Sequence, residues 1–217
     1  MSDSVKHRAV KGVMWSAVER FSVQGIQFVL SIVIARLVLP SEYGLIAMLG
    51  IFLAIAQTFV DSGFSNALIQ KKDRTEVDYS TVFYFNILIA LVVYGVLFIS
   101  APYIASFYRE PELTVVTRWV GLNLLLNGLS IVQRAKLTVC VDFKTQAKAS
   151  LIAVLMSGLV AVCLAYRDYG VWALVLQSLL SSFLNTLLLW IFSRWLPLWC
   201  FSWKSFRSLF SFGSKLL

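Results

Sequence analysis

Charge and histidine are what this sequence has least of, and each shortage narrows what it can do. Only 14% of its 217 residues are Asp, Glu, Lys or Arg, where soluble domains carry about a quarter. Residues 21–35, 43–60, 79–108, 119–133, 149–166 and 169–193 contain none at all. The single histidine, His7, sits in the N-terminal tail, where a solvated side chain is a simpler reading than a ligand or base. The three cysteines, Cys140, Cys163 and Cys200, are odd in number and lack paired spacing, so no disulfide framework is implied. Also missing are a nucleotide-binding loop, a metal-ligand cluster and a nucleophile with a partner base. An ATP-driven pump would need a nucleotide domain, which this chain lacks, and no cofactor is expected. Period-two alternation is absent too: NILIALVVYGVLFI is apolar at successive positions, which excludes a transmembrane β-barrel.

What remains is long and apolar. Hydrophobic residues make up 59% of the chain and its mean hydropathy is +0.79. A helix needs about 20 mainly apolar residues to cross a bilayer of roughly 30 Å, and the uncharged blocks supply six such lengths. The expected fold is all-α: a polytopic membrane protein built as a six-helix transmembrane bundle. The spans read as 10–39, 43–70, 79–100, 112–133, 147–166 and 169–193, with Pro102 and Pro111 as breakers after the third.

Nineteen Lys and Arg oppose eleven acids, a net charge of +8. In a soluble chain this would suggest nucleic acid, but the basic residues skip every second connection. They gather at Lys6, Arg8 and Lys11, at Lys71, Lys72 and Arg74, from Arg134 to Lys148, and after Arg194, whereas PSEYG, REPE and RDYG hold one Arg at most. The positive-inside bias therefore places the N-terminus in the cytosol and excludes a nucleic-acid surface. No cleavable leader is evident, so span one is expected to act as its own signal. After residues 1–194 of bundle, Trp195, Trp199, Trp203, Phe206 and Phe210 recur at helical spacing. That predicts an amphipathic linker over 195–210 lying in the cytosolic interface, the alternative being an irregular linker with incidental aromatics. SFGSKLL (211–217) reads as the start of a further span, as in a truncated chain.

Polar residues inside the spans are the candidate working parts. Stepped at 100° per residue, Ser16, Arg20, Gln24, Gln27 and Ser31 fall on one stripe of span one, with Glu19 beside it. Gly50, Ala54, Gln57, Asp61 and Ser65 form a matching stripe on span two. Lipid cannot satisfy such stripes, so they must face protein or a water-filled cavity. Arg20 and Asp61 lie at similar depth, about 12 Å in at 1.5 Å per residue, which predicts an Arg20–Asp61 contact across two antiparallel neighbours. Such a cluster is either a static interhelical lock or a path that meets a charged substrate or coupling ion. Arg36 is expected to snorkel to the outer interface. Arg118 either faces the cavity or snorkels outward.

The runs ARLVLPSEYGLIAM, FVDSGFSNALIQ, VDYSTVFYFN, APYIASFYREPEL, VDFKTQAKAS and YGVWALVLQ occur in that order. Together they resemble the N-terminal half of bacterial polysaccharide flippases, the Wzx-type translocases of the multidrug/oligosaccharidyl-lipid/polysaccharide exporter superfamily. The resemblance implies two bundles of six helices around a central cavity in the bacterial inner membrane. It further implies translocation of undecaprenyl-pyrophosphate-linked oligosaccharide by alternating access, driven by a proton or sodium ion, among membrane lipids and glycan-assembly proteins. On that analogy Arg20, Gln24, Gln27 and Arg118 are substrate-binding candidates, and Glu19 and Asp61 are ion-coupling or gating candidates. The chain departs from the pattern in holding one bundle. Competing readings are a membrane enzyme of lipid-linked glycan assembly and an inactive half.

Overall fold

A computed structural model describes residues 2–61, 64–71, 73–203 and 205–207, with side chains omitted for 2–13, 19 and 64–66. Among the described residues there are seven helices and no strand: α1 Ser2–Ala35, α2 Pro40–Asp61, α3 Phe64–Gln70, α4 Glu76–Tyr108, α5 Leu113–Val139, α6 Phe143–Ala165 and α7 Val171–Ser193. All but the short α3 are long and apolar enough to cross a membrane, so the protein is a polytopic α-helical membrane protein. Most of the large exposed side chains are apolar, including Phe28, Ile51, Leu91, Val96 and Leu159. That is the surface hydrocarbon requires.

Local signals explain the helix ends. Pro40 opens α2, a position where its missing N–H costs nothing, and the Glu42 carboxylate accepts from Leu39 N–H at 3.1 Å. Thr75 caps α4 in a reciprocal box with Asp78, and Asp142 caps α6 by accepting from Thr145 N–H at 3.1 Å. Gly170 precedes α7 at φ +53°, and any side chain there would run into the Glu42 carboxylate. The starts of α2 and α7 are thus pinned together at the end poor in basic residues.

Residues 62 and 63, between α2 and α3, lie outside the described residues. The third span differs from the sequence expectation: it runs straight through Pro102 to Tyr108. A proline removes one donor from the ladder, and membrane helices tolerate this where local adjustment re-satisfies the freed carbonyl.

Tertiary packing pairs α4 with α5, α6 with α7, α1 with α6 and α5 with α7, while α2 leans on α4 and α5. The main core joins Leu49 and Val60 of α2, Ala90 and Leu97 of α4, Val120 and Leu124 of α5 and Val175 of α7. Near the α1–α2 turn, Ile34, Val38 and Tyr43 cluster with Ala161 and Ala165 of α6. From that turn toward the basic end α1 follows α6 rather than α2.

After α7 the chain is not helical from Arg194 to Ser202, contrary to the one-faced amphipathic helix that the aromatic spacing predicts. Arg194 stops α7 at φ +47°, and Pro197 cannot donate to a helix. The segment instead straps onto the first turns of α4. Leu198 N–H donates to Ser80 Oγ at 2.9 Å and Ser202 N–H to Thr81 Oγ1 at 3.1 Å. The Trp195 indole N–H donates to Glu76 Oε2 at 2.6 Å, with its ring packed against Tyr79 and Phe83. Trp199, which the spacing would place beside it, is 98% exposed. Residues 208–217, including Phe210 and the expected start of a further span, lie outside the described residues.

Candidate functional site

The gap between α1 and α2 holds a polar cavity of about 610 Å³. Arg20 reaches it from α1, Gln57 and Asp61 from α2, and Asn127, Ser130 and Arg134 from α5. A second cavity of about 360 Å³ lies between α1, α5, α6 and α7, with Ser16, Thr138, Gln146 and Asn185 on its walls. Arg20 and Arg134 line both, so the two guanidiniums stand where the cavities meet. A third, of about 390 Å³, lies further along α1 and is lined by Gln27, Ser157, Gln177, Ser178, Ser181 and Ser182.

The Arg20–Asp61 contact expected from matched depth is not formed. Among the described residues the ion pairs are Lys71–Asp78 at 2.8 Å and Lys136–Glu76 at 2.9 Å, both near the start of α4. The reason is the packing of α1 on α6, which leaves Arg20 and Asp61 on facing walls of one cavity. Asp61 Oδ1 accepts from Gln57 Nε2 at 2.9 Å, and Gln57 Oε1 accepts from Asn127 Nδ2 at 3.2 Å. This amide chain fixes Gln57 between α5 and the carboxylate.

The other candidates scatter. Gln27 faces the third cavity. Gln24 is exposed and lines none of the three. Arg118 sits sixteen positions before Arg134 on α5, roughly 24 Å along the axis. Its guanidinium lies 4.2 Å from the centroid of the Phe98 ring, a cation–π contact on the α4 side, so it does not join Arg20. The Glu19 side chain lies outside the described residues.

Sequence reasoning missed the α5 and α7 walls. Asn123, Asn127, Ser130, Arg134 and Thr138 recur every three or four residues, and on α7 the pairs Ser178–Ser182 and Ser181–Asn185 are each four apart. The stepping that marks span one finds both stripes when applied to spans four and six. Arg134 read as an ordinary loop-side cation because it falls just beyond the uncharged block, although α5 continues past it to Val139. Among the described residues no three His, Cys, Asp or Glu are placed to hold a metal ion.

Six long apolar helices enclosing a charged, partly open polar interior define a polytopic membrane protein with an intramembrane polar cavity. Residues 33–217 match the family described as polysaccharide biosynthesis protein, and the chain belongs to that family, as the ordered sequence runs suggest. It is 28% identical over 214 residues to the teichuronic acid biosynthesis protein TuaB of Bacillus subtilis (strain 168), covering 97% of this chain and 44% of that protein. Similarity to the succinoglycan biosynthesis transport protein ExoT of Rhizobium meliloti (strain 1021) is 29% over 217 residues, covering 98% and 44%. With the lipopolysaccharide biosynthesis protein WzxC of Escherichia coli (strain K12) it is 25% over 191 residues, covering 88% and 39%. The chain thus spans less than half the length of these relatives. No solved structure matches it.

Proposed function

We propose that this chain forms one bundle of an inner-membrane flippase. In this reading the flippase carries undecaprenyl-pyrophosphate-linked oligosaccharide from the cytosolic to the periplasmic leaflet by alternating access. Arg20 and Arg134 receive the anionic pyrophosphate. The observation that carries the reading is their shared position. Two guanidiniums, neither ion-paired among the described residues, line two adjoining polar cavities opposite Asp61, the one carboxylate among the described lining residues. Intramembrane charge is costly and is kept where it meets a charged ligand, and guanidinium forks suit phosphate oxygens. Family membership and the relative named as a transport protein favour transport over catalysis.

Arg134, Lys136, Lys144 and Lys148 lie at one end of the bundle with Lys71 and Arg74, and the positive-inside bias turns that end to the cytosol. The cavities between Arg20 and Arg134 would then face the leaflet where the lipid-linked glycan is loaded. Asp61, held by Gln57, is the described candidate for coupling to a proton or sodium ion, with Glu19 beside the same helix stripe. The second bundle needed to close the cavity is the principal partner. The domain division proposed is a bundle to residue 194, a strap or linker over 195–210 and the start of a further element at 211.

The test is export by the full-length protein carrying Arg20→Ala and Arg134→Ala together. Loss of two charge-assisted contacts predicts a fall of roughly tenfold or more, with normal protein levels in the membrane and lipid-linked glycan accumulating on the cytosolic leaflet. Arg→Lys at both positions should recover part of it. Undiminished export without either guanidinium sinks the assignment.

A further inference from the structure

The third cavity differs in chemistry from the other two. Its polar groups are all neutral: the amides of Gln27 and Gln177 and the hydroxyls of Ser157, Ser178, Ser181 and Ser182. Val154 and Leu174 supply its apolar surface. Depth makes these groups informative. Ser181 and Ser182 fall at the middle of α7, which runs from Val171 to Ser193, and Gln27 near the middle of the apolar part of α1. At that depth lipid offers no hydrogen-bond partner, and each unsatisfied polar group costs several kcal/mol.

Some of these groups are accounted for within the bundle. Ser157 Oγ donates to Val154 O at 3.2 Å and Ser178 Oγ to Val175 O at 2.9 Å, while Asn123 Nδ2 donates to Ser178 Oγ at 3.2 Å. The side chains of Gln27, Gln177, Ser181 and Ser182 make no hydrogen bond among the described residues. Two amides and two hydroxyls therefore face a cavity at mid-depth with their bonding capacity unused. Polar glue between helices would have used it.

Resting on the flippase reading above, we infer that this cavity is a subsite for the uncharged sugars of the lipid-linked glycan. It lies inward of the guanidinium pair that holds the pyrophosphate. Gln27 is seven residues beyond Arg20 on the same stripe of α1, about 10 Å along the axis, within the reach of a short oligosaccharide tethered to a phosphate at Arg20 and Arg134. Amides and hydroxyls both donate and accept, as sugar hydroxyls do, and the cavity has no charged lining residue to favour an acidic sugar. The arrangement orders the cargo: charge at the basic end, neutral polyol toward the bilayer centre.

The test uses the full-length protein in nanodiscs and two probes, undecaprenyl pyrophosphate and undecaprenyl pyrophosphate bearing maltotriose. Wild type should bind the maltotriosyl probe about tenfold more tightly than the bare one, from two neutral hydrogen bonds of about threefold each. In the double variant Ser181→Ala, Ser182→Ala, and separately in Gln177→Ala, that ratio should fall toward one. Alanine is the best helix former, and retained binding of the bare probe shows that the variants are folded. An unchanged ratio in both variants, or no gain from the sugar in wild type, overturns the subsite and leaves the pyrophosphate assignment standing. If wild type binds neither probe, the flippase reading fails and the subsite falls with it.

Discussion

Two carboxylates two residues apart at the start of α4, Glu76 and Asp78, have unequal weight. The Asp78 side chain is 2% exposed and that of Glu76 52%. Asp78 Oδ2 accepts from Lys71 Nζ at 2.8 Å, from Thr75 N–H at 2.9 Å and from Thr75 Oγ1 at 3.0 Å. Removing it strips the α4 cap and leaves a half-buried ammonium without its partner. Asp78→Ala should therefore cost about 3 kcal/mol of unfolding free energy. Glu76 also has two partners, Lys136 and the Trp195 indole, but water screens them. Glu76→Ala should cost about 1 kcal/mol. Unfolding titrations in mixed micelles would rank the two, and equal losses would mean that burial does not set the strength of this corner. Neither carboxylate stood out in the sequence, because a buried cap and a solvated acid have the same letters around them.

Among elements, the α4–α5 interface depends on the absence of side chains. A Cβ on Gly128 would lie 3.0 Å from Ala90 Cβ, whereas one on Gly95 meets nothing within 4 Å. Adding a side chain should then have opposite effects at the two positions. Gly95→Ala removes a helix-weakening residue and should stabilise the protein by up to about 1 kcal/mol. Gly128→Val must push α4 away from α5 and should destabilise by about 2 kcal/mol. Thermal unfolding of the two variants in one detergent is the check, and stabilisation by Gly128→Val would contradict the close approach. The long uncharged blocks announced all six spans, since each span's preference for lipid sums over its own residues. The helix through Pro102 was misread because a proline rule drawn from water overstates the penalty inside a packed membrane bundle.

For the whole molecule, the uneven charge makes a topological prediction. Cys140 is exposed just after α5 at the basic end. With Cys163 and Cys200 replaced by Ser, a membrane-impermeant maleimide should leave Cys140 unlabelled in intact spheroplasts and label it after permeabilisation. Labelling from outside would reverse the orientation and put the guanidinium cavities on the wrong side for loading. The stripe on α1 was legible from spacing alone, and so was its need for a polar neighbour. Its partner was not. The depth argument matched Arg20 to Asp61 as if consecutive helices must pack, whereas α1 lies along α6 and faces α2 across a cavity.

The amino-acid order by itself determined the number of spans, the sign of charge at each end of the bundle and the presence of polar stripes. These are sums of local terms: transfer energy per residue, loop charge and 100° steps around a helix. Only the tertiary structure decided which stripes share a cavity, bringing Arg134 of α5 to Arg20 of α1 and the serines of α7 to Gln27. That choice depends on which helix faces fit closely enough to pack, as Gly158 of α6 does around Leu30 of α1. Such fit is a property of pairs of surfaces, and no single helix carries it.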